Sequence, residues 1–157
     1  MSLPEPLVDG PPHMVSPDGR LLVWFVEPLG IVDVHLGGNF TAAQARFLTV
    51  DAQAVLERLA AARQEKASFV HLWGDVERYD GEARTQIIQW GLGWGPSRVH
   101  QIWVVLGPRT PAIMRMACSM GKMAMTVARI HLEITEDVEV VRQRLPLRRL
   151  HPSPLDG

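Results

Sequence analysis

ASFVHLWGDVERYDGEAR, residues 67–84, is the stretch whose reading decides the fold. It opens on the apolar run from Phe69 to Trp73, long enough for a strand and too short for a helix. Gly74 and Asp75 break the run. Asp80 then stands just ahead of a helical pattern, where a carboxylate can accept a hydrogen bond from a free N–H of the first turn. The stretch predicts a central strand, a surface loop and a capped helix start. In an open α/β sheet, loops at the carboxyl ends of strands are where ligands and partners meet the protein.

The rest of the chain supplies the sheet. Upstream, Ser16-Pro-Asp-Gly19 reads as a turn. A continuously apolar strand runs from Leu21 to Val26, then comes a turn over Glu27–Gly30, then an alternating strand from Ile31 to Leu36. In that second strand Val32, Val34 and Leu36 share one face, and Asp33 and His35 the other. So short a connection predicts antiparallel pairing. Thr41-Ala-Ala-Gln44 matches a capping box and opens a helix of about residues 41–64, with Leu48, Ala52, Val55, Leu59 and Ala62 as its core stripe.

Downstream, a helix over residues 81–90 is expected to end at Gly91. A strand follows over residues 99–106. Thr110 and Pro111 read as the cap and first position of a helix reaching Val127. The last strand is expected over residues 129–134 and a short helix over residues 135–145, whose apolar side is Val138, Val141 and Leu145.

The order ββαβαβαβα predicts an α/β fold with a mixed, mostly parallel sheet of about five strands and helices mainly on one face. The expected domain is residues 20–145. It lies between a Pro-rich arm, residues 1–19, and a Pro/Arg tail, residues 146–157, expected to be irregular.

Bulk properties narrow the function. The chain has 157 residues, enough for one domain with a sizeable core. Net charge is −1, which argues against a general nucleic-acid binder. The single cysteine, Cys118, excludes an internal disulfide and suits a reducing compartment. The first ten residues lack the pattern of a signal peptide, and no apolar run approaches the ~18 residues of a membrane span. A cytoplasmic location is the expectation.

The Gly37-Gly38-x-Phe40-Thr41 entry to the first helix, the strand–loop–Asp80 segment and the Gly107–Pro111 entry to a later helix resemble the STAS domain, the anti-sigma-factor-antagonist or SpoIIAA-like family. The resemblance covers about residues 20–145. It implies a STAS-like fold and work by protein–protein contact in bacterial signalling. In many members a serine follows the loop aspartate, and its phosphorylation switches partner binding. Here Asp80 matches the aspartate and Gly81 occupies the serine's place, so the chain reads as a divergent member without that switch.

Four constellations carry candidate chemistry. First, strand parity places Asp33 and His35, His71 and Trp73, Gln101 and Trp103, and Arg129, His131 and Glu133 on one sheet face left open by the helices. A metal site using His35, His71 and His131 is one reading; a face covered by a tail or a second subunit is the preferred one. Second, Met114, Met116, Met120, Met123 and Met125 crowd one helix, in which Ile113, Met116, Met120, Met123 and Val127 form a single stripe. That stripe reads either as gap-filling core or as an adaptable binding surface. Gly121 in mid-helix suggests close approach of another backbone.

Third, Trp90 and Trp94 in a glycine-rich segment are either a folded-back plug or an exposed anchor. Fourth, the acids Asp75, Glu77, Asp80 and Glu82 read as a solvated loop balanced by Arg78 and Arg84. No catalytic motif is complete, and neither a cofactor nor a metal is expected.

The functional expectation is a non-enzymatic interaction module able to form homo-oligomers. Its partner surface would comprise Asp75, Glu77, Arg78, Tyr79, Asp80, Gly81, Arg84, Trp94, Met116 and Met120. The rival is a small-ligand or lipid carrier with an apolar pocket by the Met-rich helix. A large pocket lined by Met116, Met120 and Met123 would favour the carrier; a flat apolar surface would favour the interaction module.

Overall fold

The computed structural model describes residues 7–155. Its strands are β1 (Met14–Val15), β2 (Leu21–Glu27), β3 (Gly30–His35), β4 (Gly38–Phe40), β5 (Ala67–Leu72), β6 (Val76–Tyr79), β7 (Val99–Val105), β8 (Leu132–Thr135) and β9 (Arg148–Arg149). Its helices are α1 (Ala42–Arg46), α2 (Gln53–Arg63), α3 (Gly81–Trp94), α4 (Ala112–Val127) and α5 (Val138–Arg144), with a π-helical segment, Phe47–Ala52, joining α1 to α2.

The main sheet runs β1-β2-β3-β5-β7-β8, with β9 beside β1 on the same edge of β2. β2 and β3 pair antiparallel, as their short connection requires, and β3, β5, β7 and β8 are parallel. Strands β2, β3, β5, β7 and β8 and the helices between them follow the expected order. Thr41 and Gln44 form the expected capping box, each side chain bonding to the other's backbone N–H. The stripe after it is buried through Leu48, Ala52 and Val55, whereas Ala62 is exposed.

Several boundaries differ for local reasons. α3 does not stop at Gly91 but continues to Trp94, and the cap falls to Gly95 at φ 71°. A Cβ at Gly91 would come within 2.6 Å of Met125 Cε, so this glycine serves close α3–α4 packing. Thr110 does not cap α4. Its hydroxyl accepts from Gly107 N–H and donates to Gly74 O, tying the ends of β5 and β7 together. The last strand starts later than expected because Arg129 takes a left-handed conformation, φ 62°. The C-terminal tail is not irregular throughout, since β9 pairs with Val26 and Glu27. In the N-terminal arm, β1 pairs with Leu22 and Val23, and Leu7 and Val8 are buried; Pro4 and Pro6 lie outside the described residues.

The largest correction concerns the sheet faces. The side opposite α1–α4 is not open. It carries a second apolar cluster of Trp24, Val26, Val32, Val70, Trp103 and Val105, covered by Leu7, Val8, and Val141 and Leu145 of the α5 region. Asp33, His35, His71 and Trp73 lie on the other side, beneath the helices, and all are buried. Trp103 does not join them. A register shift after Ala67 sets His71 opposite Val104, so Trp103 points to the far face. His131 precedes β8 and is exposed.

Candidate functional site

The centre of the helix-covered face is polar. β3 and β5 are parallel neighbours that place Asp33 beside His71. The carboxylate is completely buried. Oδ1 accepts from His71 Nδ1 at 2.5 Å, and Oδ2 accepts from Trp73 Nε1–H at 2.7 Å. The His71 and Trp73 rings stack with centroids 4.5 Å apart. Each carboxylate oxygen thus has a fixed donor, which is what a carboxylate taken out of water requires.

His35 sits in a separate network. Its Nδ1 accepts from Gly37 N–H, so its Nε2–H donates to Gln44 Oε1 at 2.8 Å. Gln44 in turn donates to Asp18 at 2.7 Å. The three histidines therefore do not converge. Among the described residues no group of three or more His, Cys, Asp or Glu side chains is placed to hold a metal ion.

Above His71 and Trp73, between α3, α4 and the sheet, is an apolar cavity of about 90 Å³. Phe69, Ile87, Ile102, Met114, Cys118 and Met125 are among the side chains lining it. Two helical residues leave it space. Gly121 lines the cavity with no atom within 4 Å of where its Cβ would be, so no backbone packs against it. Ala117 adds only a methyl group. Burial pushes the Cys118 thiol up to about 11, only partly opposed by the positive charge of Arg115. A thiol so placed behaves as a small apolar side chain.

The segment expected to be a loop, residues 75–84, contains a strand. β6 pairs parallel with β4 in a small separate sheet. Asp75, Glu77 and Arg78 project into solvent, Gly81 is exposed, and Tyr79 and Arg84 are half-buried against the cavity. Asp80 occupies the N-cap position of α3, but its side chain does not cap that helix. It accepts instead from Asn39 Nδ2 at 3.0 Å and from Ala42 N–H at 3.1 Å, joining the start of α3 to the start of α1. Those two bonds, the Asn39 one foremost, hold its carboxyl below the usual range.

Trp94 is not exposed. It packs edge-on to Phe69 with centroids 5.8 Å apart, and Arg98 lies 4.0 Å over its ring. The tryptophans of α3 are thus a folded-back plug.

The methionines of α4 divide by face. Met114, Ala117, Cys118 and Met125 are buried, while Ile113, Met116, Met120, Met123 and Val127 are exposed, Met123 by 70% and Val127 by 86%. The stripe at that spacing is a surface rather than core. It extends for about 21 Å at the helical rise per residue. Arg115–Glu136 and Lys122–Glu133 ion pairs flank it.

Sequence reasoning offered a pocket by the Met-rich helix as the rival reading but lined it with Met116, Met120 and Met123, which are exposed, whereas Met114 and Met125 line the cavity; it missed the Asp33–His71 pair. The alternation around Asp33 and that of Phe69-Val-His-Leu-Trp73 carried the signal. Each assigned Asp33, His71 and Trp73 to one face, but which face the helices covered was not in the pattern.

No protein-family profile matches the sequence, and no curated protein matches it. A crystal structure from Shewanella loihica PV-4, described as an uncharacterized protein of the DUF3478 family with a SpoIIAA-like fold, is similar to this chain with a TM-score of 0.48 and 11% identity. The likeness covers 80% of this chain and 93% of that one. Among the described residues no helix is long and apolar enough to cross a membrane.

Proposed function

We propose that this chain is a non-enzymatic, regulatory protein-contact module that docks through the outer face of α4, and that the first occupant of that face is a second copy of the chain. The observation that carries the reading is the exposed stripe Ile113, Met116, Met120, Met123 and Val127. Isolated exposed apolar side chains are ordinary; five in line on one helix form a patch of the kind that marks an interaction site. Methionine suits such a face because its unbranched side chain repacks around different surfaces at low cost.

A stripe along one helix can pair with itself about a two-fold axis. The flanking ion pairs carry both signs, so two copies need not set like charges against each other. The exposed acids and Arg78 of the 75–84 segment would add polar contacts at the rim. With Gly81 at the start of α3, the module would act without a serine phospho-switch there.

The test is light scattering on the full chain over a concentration series. The expected mass rises toward twice the 17.5 kDa of one chain. The double variant Met116→Glu/Met120→Glu should hold the single-chain mass with an unchanged circular-dichroism spectrum and a cooperative thermal transition. A wild-type protein that stays at the single-chain mass at every concentration overturns the second-copy reading.

A further inference from the structure

We infer that the cavity between α3, α4 and the sheet is a binding site for a small, neutral, hydroxylated apolar molecule, a phenol or compact alcohol, held by His71 and Trp90. This site is separate from the outer face of α4.

The argument starts from hydrogen-bond inventory. Asp33 accepts from His71 Nδ1–H, which in the neutral imidazole makes Nε2 the acceptor nitrogen. Nε2 is left with a lone pair, and among the described residues nothing bonds to it. Trp90 lines the same cavity, and its indole Nε1–H is buried without a partner. A buried donor left unpaired is costly, and native structures rarely leave one without a reason. The two rings are neighbours, with centroids 6.1 Å apart. His71 and Trp90, which carry this acceptor and this donor, are both part of a lining that is otherwise almost wholly apolar.

A hydroxyl group answers both at once. It donates its proton to His71 Nε2 and accepts from Trp90 Nε1–H. A hydrocarbon answers neither, and a carboxylate offers no proton to Nε2. The volume sets the size. About 90 Å³ is below the ~150 Å³ of an apolar cavity that admits benzene. Met114 and Met125 in the wall are flexible enough to yield the difference for a single ring. Arg84, half-buried in the wall with its Nε unpaired, is the one group that would draw an anion instead.

The experiment is titration of the full chain with phenol, toluene and benzoate, followed by tryptophan fluorescence, since Trp73 and Trp90 both line the cavity. Phenol is expected to bind with one-to-one saturation, at least tenfold more tightly than toluene or benzoate. His71→Phe should remove the phenol preference while toluene binding persists. Gly121→Leu, which fills the cavity and leaves both polar groups in place, should abolish all binding and keeps the inference falsifiable if His71→Phe does not fold. Equal affinity for phenol and toluene, tighter binding of benzoate, no saturable binding of phenol, or unchanged binding in Gly121→Leu would each overturn it.

Discussion

Asp33 and His71 lie side by side on parallel strands, and the 2.5 Å hydrogen bond between them joins two residues 38 positions apart under the helices. With Trp73 on the other oxygen, the carboxylate is enclosed by fixed donors. Removing it should expose how much depends on it. Asp33→Ala leaves two buried donors unpaired and should cost about 3–5 kcal/mol in urea unfolding. Asp33→Asn should cost far less. An amide oxygen can keep the Trp73 bond, and its NH₂ can donate to His71 Nδ1, which moves the ring proton to Nε2. Nitrogen-15 shifts of the His71 ring would read that exchange of tautomer. Equal losses in the two variants would contradict the account.

Cys118 should be inert at neutral pH. With its thiol pushed up to about 11 by burial, only about one part in a thousand is thiolate at pH 8. Alkylation by iodoacetamide in the native protein should therefore run slower than in the urea-unfolded chain by about two orders of magnitude or more, since burial also blocks access. Native alkylation at the unfolded rate would mean that α4 opens from the sheet.

How much of this was legible in the residues varies with the range of the physics. Local signals were sound. The Thr41–Gln44 capping box and the alternation around Asp33 depend on near neighbours and are present as read. The parity argument failed at Trp103 because a register shift in the β5–β7 pair is a property of two strands and leaves no mark on either alone. The stripe on α4 was identified residue by residue, yet periodicity does not say which of two apolar faces turns inward. α4 has both, and buries Met114 and Met125 while exposing Met116, Met120 and Met123. Asp80 was read as a cap on sound local grounds, but Asn39 and Ala42, brought close by the β4–β6 pair, took its oxygens.

Two glycines should respond in opposite ways to alanine. Gly30 opens β3 where a Cβ would stand 2.1 Å from Ser68 O, a backbone atom in the middle of the sheet. Gly30→Ala must push β3 from β5 and is expected to lower stability by several kcal/mol or prevent folding. Gly121 lies inside α4 with open space around its Cβ. Gly121→Ala removes the entropic penalty of glycine and should stabilise by up to about 1 kcal/mol. Thermal unfolding of the two variants beside wild type decides it, and a destabilised Gly121→Ala would show that the cavity is smaller than described.

The acid limit of stability should pass through Asp18. Its carboxylate is partly desolvated, which alone would raise its affinity for a proton. Donation from Ser16, Gln44 and Arg20 N–H outweighs that, so the carboxyl lies below its ordinary value of 3.8. The bonds are 2.6 Å from Ser16, 2.7 Å from Gln44 and 3.0 Å from Arg20. They tie the turn before β2 to the first helix. A carboxyl depressed in the folded state contributes stability above its unfolded value, and that contribution is lost as pH falls through the folded value. Urea midpoints should therefore fall as pH drops below about 4, and Asp18→Asn, which has no carboxyl to protonate, should show a shallower fall over the same range. If the two proteins lose stability in parallel between pH 5 and pH 2.5, the acid sensitivity belongs to other carboxyls and the Asp18–Gln44 link contributes little to it.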